Sequence, residues 1–263
     1  MSHNPLLVTT AVESVVRAGD MMMARLGSVG RIDKKGAIDL VTEVDVAIER
    51  MFRGLIATRF PTHAVLAEEM GGSPTIPEGP CWVFDPIDGT TNFAHGVPIF
   101  CSSIALEVDG IAQIAAVYDP NRRELFTAER GRGAWLNGRP MRVSQAAVLV
   151  DALLVTGFPY DVHARLDEAI GLFRAFVGRA RGVRRLGSAA IDLCYVAAGR
   201  LDGFWERGLS PWDIAGGALL VEEAGGRVTN LKGGVFASRG GEVLATNSLI
   251  HEAMLDVIAQ ASP

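Results

Sequence analysis

The 263-residue sequence predicts a globular α+β protein. Apolar residues recur at helical spacing near the N-terminus, short β-like runs fill the middle of the chain, and strands alternate with helices after Asp151. Apolar residues make up 49% and charged residues 21% of the sequence, and this ordinary globular usage argues against a disordered or fibrous chain. The length suits one large domain or two packed halves.

The N-terminal part is predicted to contain two helices separated by a loop. Helical spacing covers residues 6–26 and ends at a glycine. Residues 27–39 are rich in glycine and show no period, which favours a mobile loop that could act as a lid. Thr42 then precedes a second helical run, and Asp45 follows three residues later, as in a capping box.

The rest of the chain is predicted as strands followed by alternating strands and helices. The β-like runs in the middle cover residues 64–67, 81–84, 99–108 and 111–118, with Asp109-Gly110 as a hairpin turn between the last two. Beyond Asp151, strands are predicted at 153–156, 202–205 and 243–246, and helices at 162–177, 188–198, 211–224 and 248–260. We expect an N-terminal half over residues 1–146 and a C-terminal half over residues 147–263, packed as one compact unit.

Charge and cysteine usage exclude several functional classes. The net charge is −5, and Lys and Arg are mostly scattered, so no direct nucleic-acid binding is expected. An anionic substrate would need bound cations that reverse the local sign of its site. The three cysteines show no C-x-x-C spacing, which excludes a disulfide framework and a zinc motif and favours buried free thiols. With no signal-peptide pattern and no long apolar run, a cytoplasmic protein without a membrane segment is expected.

The segment Trp82–Phe93 carries the clearest chemical signal. Pro86 biases Asp85 toward extended geometry, and Gly89 suits a sharp turn, so the carboxylates of Asp85 and Asp88 can converge. Converging carboxylates repel unless they are protonated or bridged by a cation, and an all-oxygen site suits Mg²⁺. The alternative is a local turn in which both aspartates are satisfied by nearby backbone groups.

Two further aspartates and one pair of adjacent glutamates bear on this choice. Asp45 and Asp213 each stand three residues after a hydroxyl residue, so each is a candidate helix cap. A helix N-terminus also favours the ionised carboxylate that a metal ligand or a base must be. Glu68 and Glu69 end a predicted strand, where only one of the two side chains can face a site on the sheet rim.

Four ordered segments together resemble the inositol monophosphatase family over nearly the full length. They are Asp39–Asp45, Ala67–Glu69, Trp82–Phe93, and Pro211–Gly217 followed by Glu222–Gly226. The resemblance implies a five-layer αβαβα sandwich of the inositol monophosphatase and fructose-1,6-bisphosphatase type. It also implies a homodimer and a Mg²⁺-dependent phosphomonoester hydrolase that lithium inhibits.

The family's functional positions fall on matching residues of this chain. The resemblance implies metal ligands at Glu68, Asp85, the carbonyl of Ile87, Asp88 and Asp213, and catalytic roles for Asp45, Thr90 and Glu68. It implies substrate contacts at Asp88, Gly89, Thr90, Thr91, Ala189, Glu206 and Asp213. The implied mechanism is in-line attack by a water that a metal ion acidifies and that Thr90, oriented by Asp45, positions.

The expected substrate is myo-inositol 1-phosphate, and two alternatives stay open. The same chemistry could act on fructose 1,6-bisphosphate, histidinol phosphate or adenosine 3′,5′-bisphosphate. Alternatively, because one bacterial relative resembles an antitermination factor, the chain could be a scaffold that binds Nus factors and RNA polymerase.

Overall fold

The computed structural model describes residues 4–28, 32–34, 40–70 and 78–261. The first half contains α1 (Pro5–Arg25), β1 (Ile32–Lys34), β2 (Leu40–Thr42), α2 (Glu43–Arg59), β3 (Ala64–Ala67), β4 (Pro80–Asp88), α3 (Thr90–His95), β5 (Cys101–Val108), β6 (Ile111–Asp119), β7 (Glu124–Glu129), β8 (Gly133–Leu136) and β9 (Arg139–Pro140). The second half contains β10 (Leu153–Thr156), α4 (Leu166–Val177), β11 (Gly182–Arg184), α5 (Ala189–Ala197), β12 (Gly203–Arg207), α6 (Pro211–Glu223), β13 (Arg227–Thr229), β14 (Glu242–Thr246) and α7 (His251–Ala261).

Two sheets form the frame of the molecule. The first has seven strands in the order β3-β4-β5-β6-β7-β8-β9, and the second has five in the order β11-β10-β12-β14-β13. In the first sheet β3 and β4 run parallel and the later pairs antiparallel. The hairpin between β5 and β6 turns at Asp109 and Gly110, both with positive φ, as the sequence predicts.

Side-chain alternation along the strands separates the helices into layers. On β6, Ala116 packs in the core with α1 and α2, whereas its neighbours Ala115 and Val117 pack in the core with α5 and α6. On β14, Val243 faces α5 and α6, and Leu244 packs with α4 and α7. The layers are therefore α1/α2, the seven-stranded sheet, α5/α6, the five-stranded sheet and α4/α7. This arrangement confirms the predicted five-layer αβαβα sandwich.

Most predicted elements are present, and several are corrected. Strand β4 continues to Asp88 instead of ending at Phe84, and a 3₁₀ turn at Val162–Ala164 precedes α4 in place of one continuous helix. Strands β1, β2, β7, β8, β9, β11 and β13 were not predicted. Strand β1 lies within the predicted loop of residues 27–39, and it pairs with β2, which follows that loop. Residues 29–31 and 35–39, and with them Asp39 and most of the proposed lid, lie outside the described residues.

Four helix N-termini meet at one place in the fold. Asp45 lies in the first turn of α2, Gly89 caps α3, Ser188 caps α5 and Asp213 lies in the first turn of α6. The first two helices start beside the seven-stranded sheet, and the last two lie between the sheets. Helix N-termini carry partial positive charge, so this place favours anionic groups. The division of the chain near residue 146 stays a prediction.

Candidate active site

A cluster of three aspartates lies where these helices begin. Carboxylate oxygens of Asp85, Asp88 and Asp213 all lie within 4.8 Å of one another. The register of β4 against β5 shifts between Asp85 and Asp88, and an irregularity of this kind re-aims side chains that would otherwise alternate. Asp213 enters from α6, where its Oδ2 accepts a hydrogen bond of 2.6 Å from the Ser210 amide. The predicted convergence of Asp85 and Asp88 is confirmed, with Asp213 beside them.

Burial and mutual repulsion raise the pKa of each of these acids. Asp85 has a pKa well above its ordinary value because it is buried, with Glu68 and Asp88 adding repulsion. The pKa of Asp213 is also well raised, by burial and then by Asp88 and Glu68. Burial raises the pKa of Asp88 to about 6, although hydrogen bonds from Ser188 and Ala190 oppose the shift. Glu68 therefore lies close enough to act on all three carboxylates.

The donor set of this cluster fits a hard divalent cation. Asp85 is 1% exposed, and its Oδ1 has no hydrogen-bond partner within the described residues. A buried carboxylate oxygen without a donor destabilises the folded chain unless a cation or a water meets it. Several carboxylates together with nearby backbone carbonyls are the ligand type that Mg²⁺ prefers. The local-turn alternative does not explain this unpartnered oxygen.

Thr90 connects the cluster to Asp45. Its hydroxyl lies 2.9 Å from the carbonyl oxygen of Ile87 and 3.3 Å from Oδ1 of Asp45. The other carboxylate oxygen of Asp45 accepts hydrogen bonds from the amide and hydroxyl of Thr42, at 2.8 and 2.5 Å. The capping box predicted for α2 is thus confirmed, and it leaves Oδ1 directed at Thr90.

Gly89 makes the turn from β4 into α3 possible. Its φ is +95°, and a Cβ atom there would lie 2.9 Å from the Ile99 carbonyl oxygen. An L side chain would therefore be both strained and obstructed. On the next turn Asn92 donates to the carbonyls of Ile99 and Leu186, at 2.8 and 2.9 Å, which ties α3 to the segment before α5.

A pocket of about 230 Å³ opens beside the cluster. All seven residues expected to contact substrate line it, namely Asp88, Gly89, Thr90, Thr91, Ala189, Glu206 and Asp213. Three other predicted site residues do not line the pocket, namely Asp45, Asp85 and Glu68. The structure thus brings the predicted positions together, while their individual roles stay predictions.

Glu206 belongs to the second sheet and lines the pocket. It lies on β12 and is 8% exposed, and burial raises its pKa to about 8 even though Arg185 opposes the shift. Gly157 lies against its carboxyl group, so closely that a Cβ atom there would collide with it. Glu206 is therefore buried in the pocket wall and is not a charge exposed at the end of its strand.

Other residues of the site were not predicted. Ser188 and the Ala190 amide donate to Oδ2 of Asp88 at 2.6 and 2.7 Å, so the start of α5 holds this carboxylate. Asp192, on the same helix, also lines the pocket. A lone acid in an otherwise apolar helix was the signal that could have drawn attention to Asp192. The three cysteines are free and buried, as expected.

Comparison with known proteins identifies the family. The sequence profile described as the inositol monophosphatase family matches residues 5–262. The chain belongs to the inositol monophosphatase family. Its assignment as a phosphatase, expected from four sequence segments, is thereby confirmed.

Curated relatives carry two kinds of name. An inositol-1-monophosphatase of Synechocystis is 46% identical over 250 residues, which is 95% of this chain and 87% of the relative. A protein named Nus factor SuhB from Pseudomonas aeruginosa is 45% identical over 263 residues, covering 98% of this chain and 97% of the relative. Both likenesses extend over nearly the whole chain.

Solved structures agree with the family fold. An inositol monophosphatase from Anabaena has a TM-score of 0.90 and 40% identity, with 98% of this chain and 97% of that chain covered. A more distant structure, described as an IMPase/NADP phosphatase complexed with Mg²⁺ and phosphate, has a TM-score of 0.80 and 26% identity, with 92% and 90% covered. None of the helices in the described part of the chain has the length and apolar character needed to cross a bilayer.

Proposed function

We propose that this phosphatase hydrolyses myo-inositol 1-phosphate to inositol and phosphate with Mg²⁺ as its cofactor. The observation that carries the proposal is the aspartate cluster beside a pocket that Glu206 also lines. The cluster suits the phosphate group through a cation, and this buried acid suits a hydroxyl group of the alcohol. The family and the name of the Synechocystis relative support the same substrate.

The metal would be held by the acidic cluster and its neighbours. The ligands are the carboxylates of Glu68, Asp85, Asp88 and Asp213 and the carbonyl of Ile87. Bound there, Mg²⁺ would neutralise the repelling carboxylates, attract the phosphate dianion and acidify a water. Burial and mutual repulsion raise the pKa of Asp85, Asp88 and Asp213, and a bound cation would offset the cost of ionising them.

Asp45 and Thr90 would orient the attacking water. With Oδ2 of Asp45 occupied by Thr42, its Oδ1 accepts from Thr90, and the lone pairs of that hydroxyl then accept a hydrogen bond from water. The water proton can pass to Asp45 through Thr90 as the oxygen approaches phosphorus. Glu68 also lies near the cluster. We assign it a catalytic role together with Asp45 and Thr90.

The start of α3 would hold the phosphate. Amides in the first turn of a helix have no intrahelical acceptor, and here they belong to Gly89, Thr90 and Thr91 beside the aspartate cluster. Two other residues that line the pocket, Ala189 at the start of α5 and Glu206 on β12, would contact substrate hydroxyls. Asp88 and Asp213 would complete the contacts near the leaving oxygen.

Phosphate release from a panel of monoesters tests the proposal. The panel contains myo-inositol 1-phosphate, fructose 1,6-bisphosphate, histidinol phosphate, adenosine 3′,5′-bisphosphate and a generic aryl phosphate. We expect inositol 1-phosphate to have the highest kcat/KM with Mg²⁺. A tenfold preference for another monoester would reject the inositol assignment and retain the phosphatase chemistry.

We also propose inhibition by lithium, a homodimer and a cytoplasmic location. The family supports the first two, and the three buried free cysteines suit a reducing compartment. Millimolar lithium should reduce phosphate release at saturating substrate, and light scattering should give twice the mass of one 28.0 kDa chain. Lithium-insensitive turnover or a monomeric mass would reject the corresponding proposal.

A second candidate function is supported by the Nus factor SuhB relatives. Their identity of 41–45% spans nearly this whole chain, so a scaffold role in transcription antitermination could coexist with catalysis. Binding of the purified chain to RNA polymerase with Nus factors tests this role. Asp88→Asn should leave such binding unchanged if the scaffold role is independent of the aspartate cluster, and absence of binding by the wild type would reject the role.

A further inference from the structure

Asp192 lies in the wall of the substrate pocket, near Glu206. It belongs to α5 and is 1% exposed, and its Oδ1 has no hydrogen-bond partner within the described residues. It lines the same pocket as Glu206 and Ala189. Asp192 therefore brings a carboxyl group to the wall of the space that the alcohol part of a substrate would occupy.

A purely structural role does not account for Asp192. An aspartate in the first turn of a helix stabilises the helix N-terminus, but it does so equally well when exposed to water. A buried carboxyl oxygen without a donor destabilises the folded state, and such groups in native proteins call for a specific explanation. Local stability rules are most often broken at functional sites.

The charged groups around Asp192 come from three separate elements. Glu206 on β12 and Asp88 on β4 raise its pKa, in addition to burial, and Arg185 in the segment before α5 lowers it. Arg185 is itself exposed at the pocket mouth. The inner wall of the pocket thus presents two buried acids, Asp192 and Glu206, with Arg185 as the cation that partly offsets them.

We propose that Asp192 is a second hydroxyl-binding residue, which together with Glu206 accepts hydrogen bonds from two hydroxyl groups of the substrate alcohol. The substrate class is accordingly a phosphate ester of a polyol, and simple alkyl or aryl esters lack the required donors. Sites built to bond a substrate hydroxyl discriminate strongly against analogues without it, because the buried acceptor is then left unpaired. This inference rests on the proposed phosphatase function.

Comparison of two substrates with the same ring tests the inference. Cyclohexyl phosphate matches inositol 1-phosphate in its six-membered ring and carries no hydroxyl group. Asp192→Asn should lower kcat/KM for inositol 1-phosphate by about 10-fold and change that for cyclohexyl phosphate by less than about twofold, as when a buried hydrogen-bonding group loses a matched partner. Asp192→Ala, which removes the acceptor entirely, should lose at least as much. Equal losses on both substrates would overturn the assignment.

A double variant distinguishes direct contact from an effect through Glu206. If the two acids bond different hydroxyls, Asp192→Asn combined with Glu206→Gln should lose more activity on inositol 1-phosphate than either single variant. A double variant no worse than Glu206→Gln alone would show that Asp192 acts only through its neighbour, and would overturn direct binding. Wild-type enzyme with no monoesterase activity at all would instead reject the proposed function.

Thermal unfolding separates binding from stability. Asp192→Asn should keep or raise Tm, because it replaces a buried carboxyl group, whose Oδ1 has no partner within the described residues, by an amide that never ionises. Asp119→Asn is the matched control, since Asp119 is equally buried but accepts from the amides of Asn121 and Arg122 at 2.9 and 3.1 Å, outside the pocket. The control should lower Tm and leave the substrate ratio unchanged. A lower Tm for Asp192→Asn with an unchanged ratio would assign Asp192 a structural role and overturn the proposal.

Discussion

At the scale of single residues, the hydroxyl of Thr90 links the aspartate cluster to Asp45. A hydroxyl has one hydrogen, and two acceptors lie within reach, the Ile87 carbonyl at 2.9 Å and Oδ1 of Asp45 at 3.3 Å. The hydrogen can therefore serve only one of them at a time. Exchange between these two acceptors would let Thr90 accept a proton from water while it releases its own toward Asp45.

Thr90→Ala should lower kcat by at least about 10²-fold with a smaller change in KM, the low end for loss of proton-transfer catalysis. Thr90→Ser retains the hydroxyl and should recover most of the activity. Ser14→Ala is a matched control, because Ser14 is also buried and donates to a backbone carbonyl, at 2.7 Å within α1. Steady-state kinetics of the three variants check this prediction. An increase in KM alone for Thr90→Ala would assign the hydroxyl to substrate binding.

Residue patterns predicted the charged part of the site better than its supporting contacts. Asp85, Asp88 and Asp213 stand out because they lie in ordered segments that together resemble one family, although each alone could serve as a turn or cap residue. Ser188 and Asp192 did not stand out, since hydroxyl and acidic residues are common near helix N-termini. Their importance depends on which distant residue each one meets, and spacing along the chain does not contain that information.

At the scale of elements, long periodic segments were predictable and short edge strands were not. Helices α1 and α2 bury apolar residues at helical spacing, and α5 and α6 bury long apolar runs. Strands β8 and β9 have four and two residues with little buried surface, so their sequences show no alternation. Such strands form because a neighbouring strand already presents its hydrogen-bonding edge.

The docking of α7 depends on His251, its first residue. His251 is fully buried, with Nε2 3.0 Å from the Thr229 hydroxyl and Nδ1 2.9 Å from that of Thr246. Burial, reinforced by Arg227, lowers its pKa to about 4. A positive charge at a helix N-terminus is also unfavourable. The folded chain therefore holds this imidazole neutral.

The consequence is a loss of stability in mild acid. Between the pKa of about 4 in the folded chain and the ordinary value of 6.5, the unfolded state binds more protons than the folded state. The contribution of His251 is thus complete above that window and is lost as pH falls through it. Between pH 7 and pH 5 the Tm of the wild type should fall more than the Tm of His251→Gln. His163 is exposed, so the Tm of His163→Gln should change with pH as that of the wild type does. Parallel curves for all three would contradict the pKa shift.

At the scale of the whole molecule, the site is shared between the two sheets. Asp85 and Asp88 come from β4 of the first sheet, whereas Glu206 lies on β12 of the second, and Asp213 begins the helix between them. Cation binding should therefore stabilise the packing of all three layers as well as prepare the site. Ligands that bind only the folded state raise its stability.

This stabilisation should depend on pH. In the metal-free chain the raised pKa values, about 6 for Asp88 and about 8 for Glu206, mean that the folded state retains protons that the unfolded state releases. The contribution of these two groups to the stability of the metal-free chain therefore falls as pH rises through that range. Mg²⁺ binds the ionised carboxylates, so its increase in Tm should be larger at pH 8 than at pH 5. An equal increase at both pH values would place the cation outside this cluster.

The central claim is that the aspartate cluster binds the Mg²⁺ on which hydrolysis depends. The most direct test is phosphate release from inositol 1-phosphate during Mg²⁺ titration of chelator-treated enzyme, for the wild type and for Asp88→Asn. We expect no turnover in chelator, full recovery of the wild type with Mg²⁺, and a kcat for folded Asp88→Asn lower by at least about 10²-fold, as for loss of an electrostatic stabiliser of the transition state. Full wild-type turnover in excess chelator, or more than half the rate in folded Asp88→Asn, would contradict the claim.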